Sequence, residues 1–257
     1  MTTAEPTADR RQALTATGDD LTTLIHHPAT DVLLALLDNP ALDETQLCVL
    51  LDRKDLPTEL LEEVSNRKNL LKNYRVKRAL AFHPHTPRLV SLRLIKDLYL
   101  MDLAQLALSV GALPELKRIA EKQILARLAQ LPLGQKITLA RRGPARVAGA
   151  LLAEGHPQIL SVVLDNAYLT EAQVLKALAR EKLSPAVSHA IAQHRRWSCV
   201  YNVRLGLIRN PGTTLATILR FLPELNASDL RDLNSPGVVS EPLRKYLQAE
   251  LDRRSVS

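Results

Sequence analysis

Set against itself at an offset of 127 residues, this chain repeats its own text without a gap. Identical residues pair across that offset from Leu33 with Leu160 to Leu103 with Leu230, among them Asn39 with Asn166, Gln46 with Gln173, Tyr74 with Tyr201, Pro84 with Pro211 and Asp102 with Asp229. An internal repeat is read before any local pattern, because both copies must satisfy one design. The duplicated blocks run over about 32–103 and 159–230, with a middle segment between them.

Each block carries helix signals that restart every couple of dozen residues. "LDETQLCVLLDR" and "LTEAQVLKALAR" set Asp43 or Thr170 at an N-cap, with Gln46 or Gln173 three positions on. That spacing is a capping box, which satisfies amide donors left open at a helix start. Leu47, Leu50 and Leu51 in one copy, and Val174, Ala177 and Leu178 in the other, then recur at helical spacing. Thr86-Pro87 and Ser184-Pro185 read as an N-cap followed by a first-turn proline. His83-Pro84 and Asn210-Pro211 end the preceding helix, since the residue before proline is pushed out of the α region. Such short helices are marginal alone and need neighbours to cover their apolar faces. Aromatic residues make up only 3% of the chain, and Leu and Ala dominate. This composition disfavours strands and suits thin layers of paired helices filled by Leu, Ile, Val and Ala. The expected fold class is therefore all-α.

The segments "VKRALAFHPHTPRLVSLRLIKD" and "VRLGLIRNPGTTLATILRFLPEL" resemble bacterial HEAT-like helical repeats, in particular the leucine-rich-repeat-variant pattern. The resemblance covers most of 28–235, and departs from the pattern where His83 replaces Asn and Thr214 replaces Pro. It implies an α-α superhelix, a HEAT-like solenoid built from the duplicated blocks, and an interaction surface rather than a particular chemistry. The expected organisation is a flexible amino-terminal tail over 1–20 and a single helical-repeat domain over 21–257.

Charge is the one feature beyond the fold. The net charge of +7 hides a segregation: residues 1–63 carry 13 acids and 4 bases, and residues 64–257 carry 14 acids and 30 bases. Three stretches, 64–96, 122–153 and 182–223, contain no acid. The offset maps Lys68 onto Arg195, Lys77 onto Arg204 and Arg93 onto Arg220. With Arg67, Arg78, Arg196 and Trp197 these residues form the candidate interaction surface, a basic stripe along equivalent repeat positions. An acidic protein segment or a nucleic-acid backbone suits such a stripe, with Trp197 or Tyr201 stacking on exposed bases in the second case. Against both stands the use of Lys and Arg at helix C-termini for the dipole and for solubility.

Nothing in the sequence announces catalysis. None of the seven histidines stands in HExxH or similar spacing, and there is no phosphate-binding glycine loop or nucleophile elbow. We expect no catalytic residue, cofactor or metal. In general architecture the chain is similar to HEAT-like alkylpurine DNA glycosylases. Those enzymes need several aromatics beside a carboxylate, whereas here only Trp197 stands in an acid-free basic stretch. Cys48 and Cys199 read as buried reduced thiols. No segment has the length and apolarity of a membrane span or the apolar centre of a signal peptide, so the default location is the cytoplasm. The sequence thus points first to a non-enzymatic scaffold for protein partners, second to a non-specific nucleic-acid-binding solenoid, and only distantly to a glycosylase.

Overall fold

The structure is a computed structural model that describes residues 8–255. Among these residues every regular element is helical, with short 3-10 turns and no strand. The chain divides into two compact units, Met1–Gln123 and Ile124–Ser257.

In the first unit lie α1 (Ala8–Thr15), α2 (Gly18–Ile25), α3 (Thr30–Leu36), α4 (Glu44–Asp52), α5 (Thr58–Asn66), α6 (Tyr74–Phe82), α7 (Arg88–Leu94) and α8 (Leu100–Leu108). Helix α9 (Pro114–Arg127) crosses the division. The helices pack in two rows: α1, α3 and α5 touch in sequence, and so do α2, α4 and α6. Leucines fill the space, with Leu36, Leu50, Leu56, Leu60, Leu61 and Leu80 fully buried. The expected tail over 1–20 is helical from Ala8. It is held because Ala13 is buried and its carbonyl accepts from the Asn39 amide at 2.8 Å. A stretch rich in polar residues hid this contact, because a single alanine and backbone carbonyls carry it.

The second unit contains α10 (Leu133–Arg142), α11 (Ala145–Glu154), α12 (Pro157–Leu164), α13 (Glu171–Leu178), α14 (Pro185–Gln193), α15 (Tyr201–Arg209), α16 (Leu215–Phe221), α17 (Ala227–Leu233) and α18 (Glu241–Ser255). Its rows are α10, α12, α14 and α11, α13, α15. Several bounds recur at the offset read from the sequence: Tyr74–Phe82 and Tyr201–Arg209, Arg88–Leu94 and Leu215–Phe221, and the 3-10 turns Leu70–Lys72 and Trp197–Cys199. Both tyrosine phrases are helices that end just before His83-Pro84 and Asn210-Pro211.

The capping signals meet mixed outcomes. Asp43 and Gln46 form the full capping box at the start of α4, Gln46 N–H donating to Asp43 at 2.7 Å and Asp43 N–H to Gln46 at 3.0 Å. Thr170 makes no side-chain cap on α13, because the Gln173 N–H donates to Thr170 O at 3.0 Å, and the Gln173 side chain lies against α11, where a Cβ built on Gly149 would be 2.6 Å from Gln173 Oε1. Ser184 accepts from Ala186 N–H as expected. Thr86 faces the other way and its hydroxyl donates to Leu80 O at 2.7 Å, closing the end of α6 instead of starting α7.

Helix ends leave carbonyls without intrahelical donors. In both units a polar side chain that follows one helix supplies such donors to the preceding helix of the same row. Asn39 donates to Ala13 O and Ala16 O, and Asn166 to Ala140 O and Gly143 O. Arg53 reaches Ile25 O and His27 O, His83 pairs with Arg53 O, and Asn210 donates to Leu178 O. These bonds tie each helix pair to the next across 23 to 32 residues of chain.

Candidate interaction surface

Most of the candidate bases are held within the fold. Arg67 pairs with Asp38 and Glu63, and its guanidinium also donates to Leu37 O. Lys77 pairs with Asp97 at 2.8 Å, and its offset partner Arg204 pairs with Glu224 and donates to Ser198 O. Arg78 bonds Asp102 at 2.6 Å and Gln105 at 2.9 Å. Arg196 donates to Leu169 O and lies over the Trp197 ring, and Arg220 donates to Ala192 O and lies over Phe221. Lys68 and Arg93 in the first unit and Arg195 in the second are exposed. The basic positions therefore act largely as cations at helix C-termini and as ion-pair partners, where the helix dipole favours them.

Trp197 and the two repeated tyrosines are also engaged by the fold. Trp197 is 1% exposed and its indole N–H donates to Leu164 O at 2.8 Å, so it offers no face to a nucleic-acid base. The Tyr201 hydroxyl donates to Asp229 and accepts from Asn226 N–H at 3.1 Å. Tyr74 repeats this with Asp102 and Tyr99 N–H, and its ring stacks on Tyr99 at 3.9 Å. Desolvation, and then the bond to Asp102, push the Tyr74 phenol up to about 12, so it stays a donor at any physiological pH. Of the two thiols, Cys48 is half-buried and raised above its ordinary value by that burial, whereas Cys199 is exposed and donates to Arg195 O. The expectation of two buried cysteines is met only in part at Cys48 and fails at Cys199, which ends the 3-10 turn that Trp197 anchors.

A different group of bases forms a groove. Arg146, Gly149, Ala150 and Ala153 stand at i, i+3, i+4 and i+7 on α11, and Gln173, Lys176, Ala177 and Arg180 repeat that spacing along α13 and its end. Such positions share one helix face, and the two faces enclose about 240 Å³ with Leu125. Arg146, Lys176 and Arg180 are exposed, no carboxylate lines the groove, and neither Lys176 nor Arg180 is paired with an acid among the described residues. Arg146 lies in the acid-free stretch 122–153, but charge alone does not single out these residues. The matching i, i+3, i+4, i+7 spacing on two helices of one row was the available signal.

At the offset positions the first unit has Asp19, Thr22, Val49 and Arg53 in place of Arg146, Gly149, Lys176 and Arg180. Arg53 is closed off there by two carbonyls and by Asp55, whose carboxyl that hydrogen bond holds at about 2. Lys182 stands where Asp55 stands, so the same arginine position has no such acid in the second unit.

No protein-family model, no curated protein and no solved structure matches this chain. Among the described residues no helix is long and apolar enough to cross a membrane.

Proposed function

We propose that the chain is a non-enzymatic, cytoplasmic scaffold for protein partners, made of two copies of one HEAT-like helical-repeat design. The observation that carries this reading is the internal use of the basic residues. Lys77 and Arg204, offset-paired members of the candidate stripe, instead hold Asp97 and Glu224. A nucleic-acid rail needs several cations aligned along a path and faces on which bases can stack, and Trp197 supplies no such face. The recurrence of helix bounds and of the Tyr74–Asp102 and Tyr201–Asp229 bonds supports a duplicated origin for the two units. Helical repeats of this kind present side chains from successive helices to a partner without active-site chemistry.

The test is site-specific photo-crosslinking in the cells of origin, with the cross-linking residue placed at exposed Leu89, Tyr99 or Val110, followed by nuclease treatment and mass spectrometry. The scaffold reading predicts a discrete cross-linked protein that survives nuclease. Recovery of nucleic acid alone, with no protein adduct from any position, rejects it.

A further inference from the structure

We propose that the α11/α13 groove of the second unit docks a carboxylate-rich segment of the protein partner. This rests on the scaffold reading above and names the chemistry that one part of the scaffold recognises.

The groove has the parts such a segment needs. Its walls carry three cations from two helices, and two of them, Lys176 and Arg180, face no acid of the described chain. Its floor is made of small residues. Gly149 lets α11 lie close to α13, and Ala150, Ala153 and Ala177 add only methyl groups above the backbone. A stripe of seven residues is about 10 Å long at the helical rise, which matches about three residues of extended chain. The polar end of Gln173 lies against Gly149 and offers an amide to a partner backbone.

The first unit serves as an internal control. There the positions are Asp19, Thr22 and Val49, and Arg53 is occupied by Ile25 O, His27 O and Asp55. Structural need therefore does not fix the cations at Arg146 and Lys176, because the corresponding helices α2 and α4 pack with Asp19 and Val49 in their place, and only Arg180 keeps its charge there, as Arg53. The wider field agrees: Ile124–Ser257 carries 18 bases and 10 acids, against 16 and 17 in Met1–Gln123. Carboxylates are favoured over a nucleic-acid backbone because no aromatic lines the groove and its three cations are confined to one short trough. Exposed charge pairs are individually weak and salt-screened, so binding is modest and depends on Lys176 and Arg180 together.

The experiment uses the full chain and a fluorescein-labelled hexaglutamate peptide, read by anisotropy at low and moderate salt. Wild type binds with an affinity that falls as salt rises, and K176M/R180M, which keeps the apolar stems, loses about tenfold or more. K68M/R195M, which removes exposed bases elsewhere, stays within about twofold. Circular dichroism verifies folding. Should K176M/R180M be destabilised, Ala153→Glu places an acid on the floor and is expected to give the same loss. No binding by wild type, or equal loss in the K68M/R195M control, overturns the proposal. So does tighter binding of an oligothymidylate of equal charge, which would assign the groove to nucleic acid. If photo-crosslinking captures one protein partner equally with wild type and K176M/R180M, the groove assignment fails and the scaffold stands. If wild type captures no protein, the scaffold reading itself fails.

Discussion

At the end of α3 the Arg67 guanidinium donates to Leu37 O, and 127 residues on, at the end of α12, the Trp197 indole donates to Leu164 O while His194 takes up Asp165 at 3.1 Å. At the end of α6 the ring of His83 pairs with Arg53 O and accepts from His85 N–H. At the end of α15 Asn210 makes the corresponding pair of bonds with Leu178 O and Gly212 N–H. Asn39 and Asn166, and Tyr74 and Tyr201, do not change at all. The two units show that where a side chain donates to a helix end, its chemical identity is open wherever the geometry can be met by another side chain. Where no such duty falls on a position, as at Asp19 against Arg146 or Val49 against Lys176, the units diverge in charge.

The strongest way to break this comparison is to remove a shared donor. Asn39 and Asn166 are 5% and 1% exposed, and each satisfies two carbonyls and one turn N–H. Replacing either with Ala leaves buried carbonyls unpaired, and each change is expected to cost about 2–3 kcal/mol. Hydrogen exchange should show the loss at the ends of α1 and α3 for Asn39→Ala and of α10 and α12 for Asn166→Ala. A cost below about 0.5 kcal/mol at either site would contradict the account.

Thr86 and Thr213 sharpen it. The Thr86 hydroxyl donates to Leu80 O, whereas the buried Thr213 hydroxyl has no partner among the described residues. Thr86→Val is expected to cost about 1.5 kcal/mol in a urea titration, and Thr213→Val to be neutral or slightly stabilising. Equal effects would remove the distinction.

His83 adds a pH dependence that Asn210 lacks. Burial holds the His83 imidazole below its ordinary value, and the bond to Arg53 O only partly offsets this. The unfolded chain therefore takes up the proton first. The His83 contribution is complete above the unfolded value of about 6.5 and is lost as pH falls through it toward the folded one. Protonating Nδ1 also breaks the bond from His85 N–H, a loss of about 1 kcal/mol. Between about pH 7 and pH 5 the wild type should lose stability that His83→Asn does not lose. Parallel profiles would contradict this.

The smallest expected effect is at the helix starts. Asp43→Ala removes a formed capping box and should cost about 1 kcal/mol, while Thr170→Ala, where no side-chain cap exists, should cost a few tenths at most. Matched thermal melts check the pair.

Much of the architecture was legible in the sequence because it is written in local terms. Pro84 and Pro211 mark helix ends, Asp43 and Gln46 mark a start, and leucines at helical spacing mark the buried faces. The polar ties were not legible, because a donor such as Asn39 or Trp197 acts on a carbonyl 23 to 33 residues earlier, and carbonyls leave no trace in side-chain identity. For the same reason the basic positions read as a surface stripe, although Arg67, Lys77 and Arg204 meet Asp38, Asp97 and Glu224 only after the helices pack. The amino-terminal helix was missed because one alanine and two carbonyls anchor it.

The most direct test of the claim that these bases belong to the fold is to neutralise Lys77 and Arg204 together, as K77Q/R204Q. Stability in urea and retention of single-stranded oligonucleotide at about 0.15 M salt are then measured on the same samples. The account predicts a lower urea midpoint for the variant and no oligonucleotide retention by either protein. Retention by the wild type that K77Q/R204Q loses, with the urea midpoint unchanged, would contradict it.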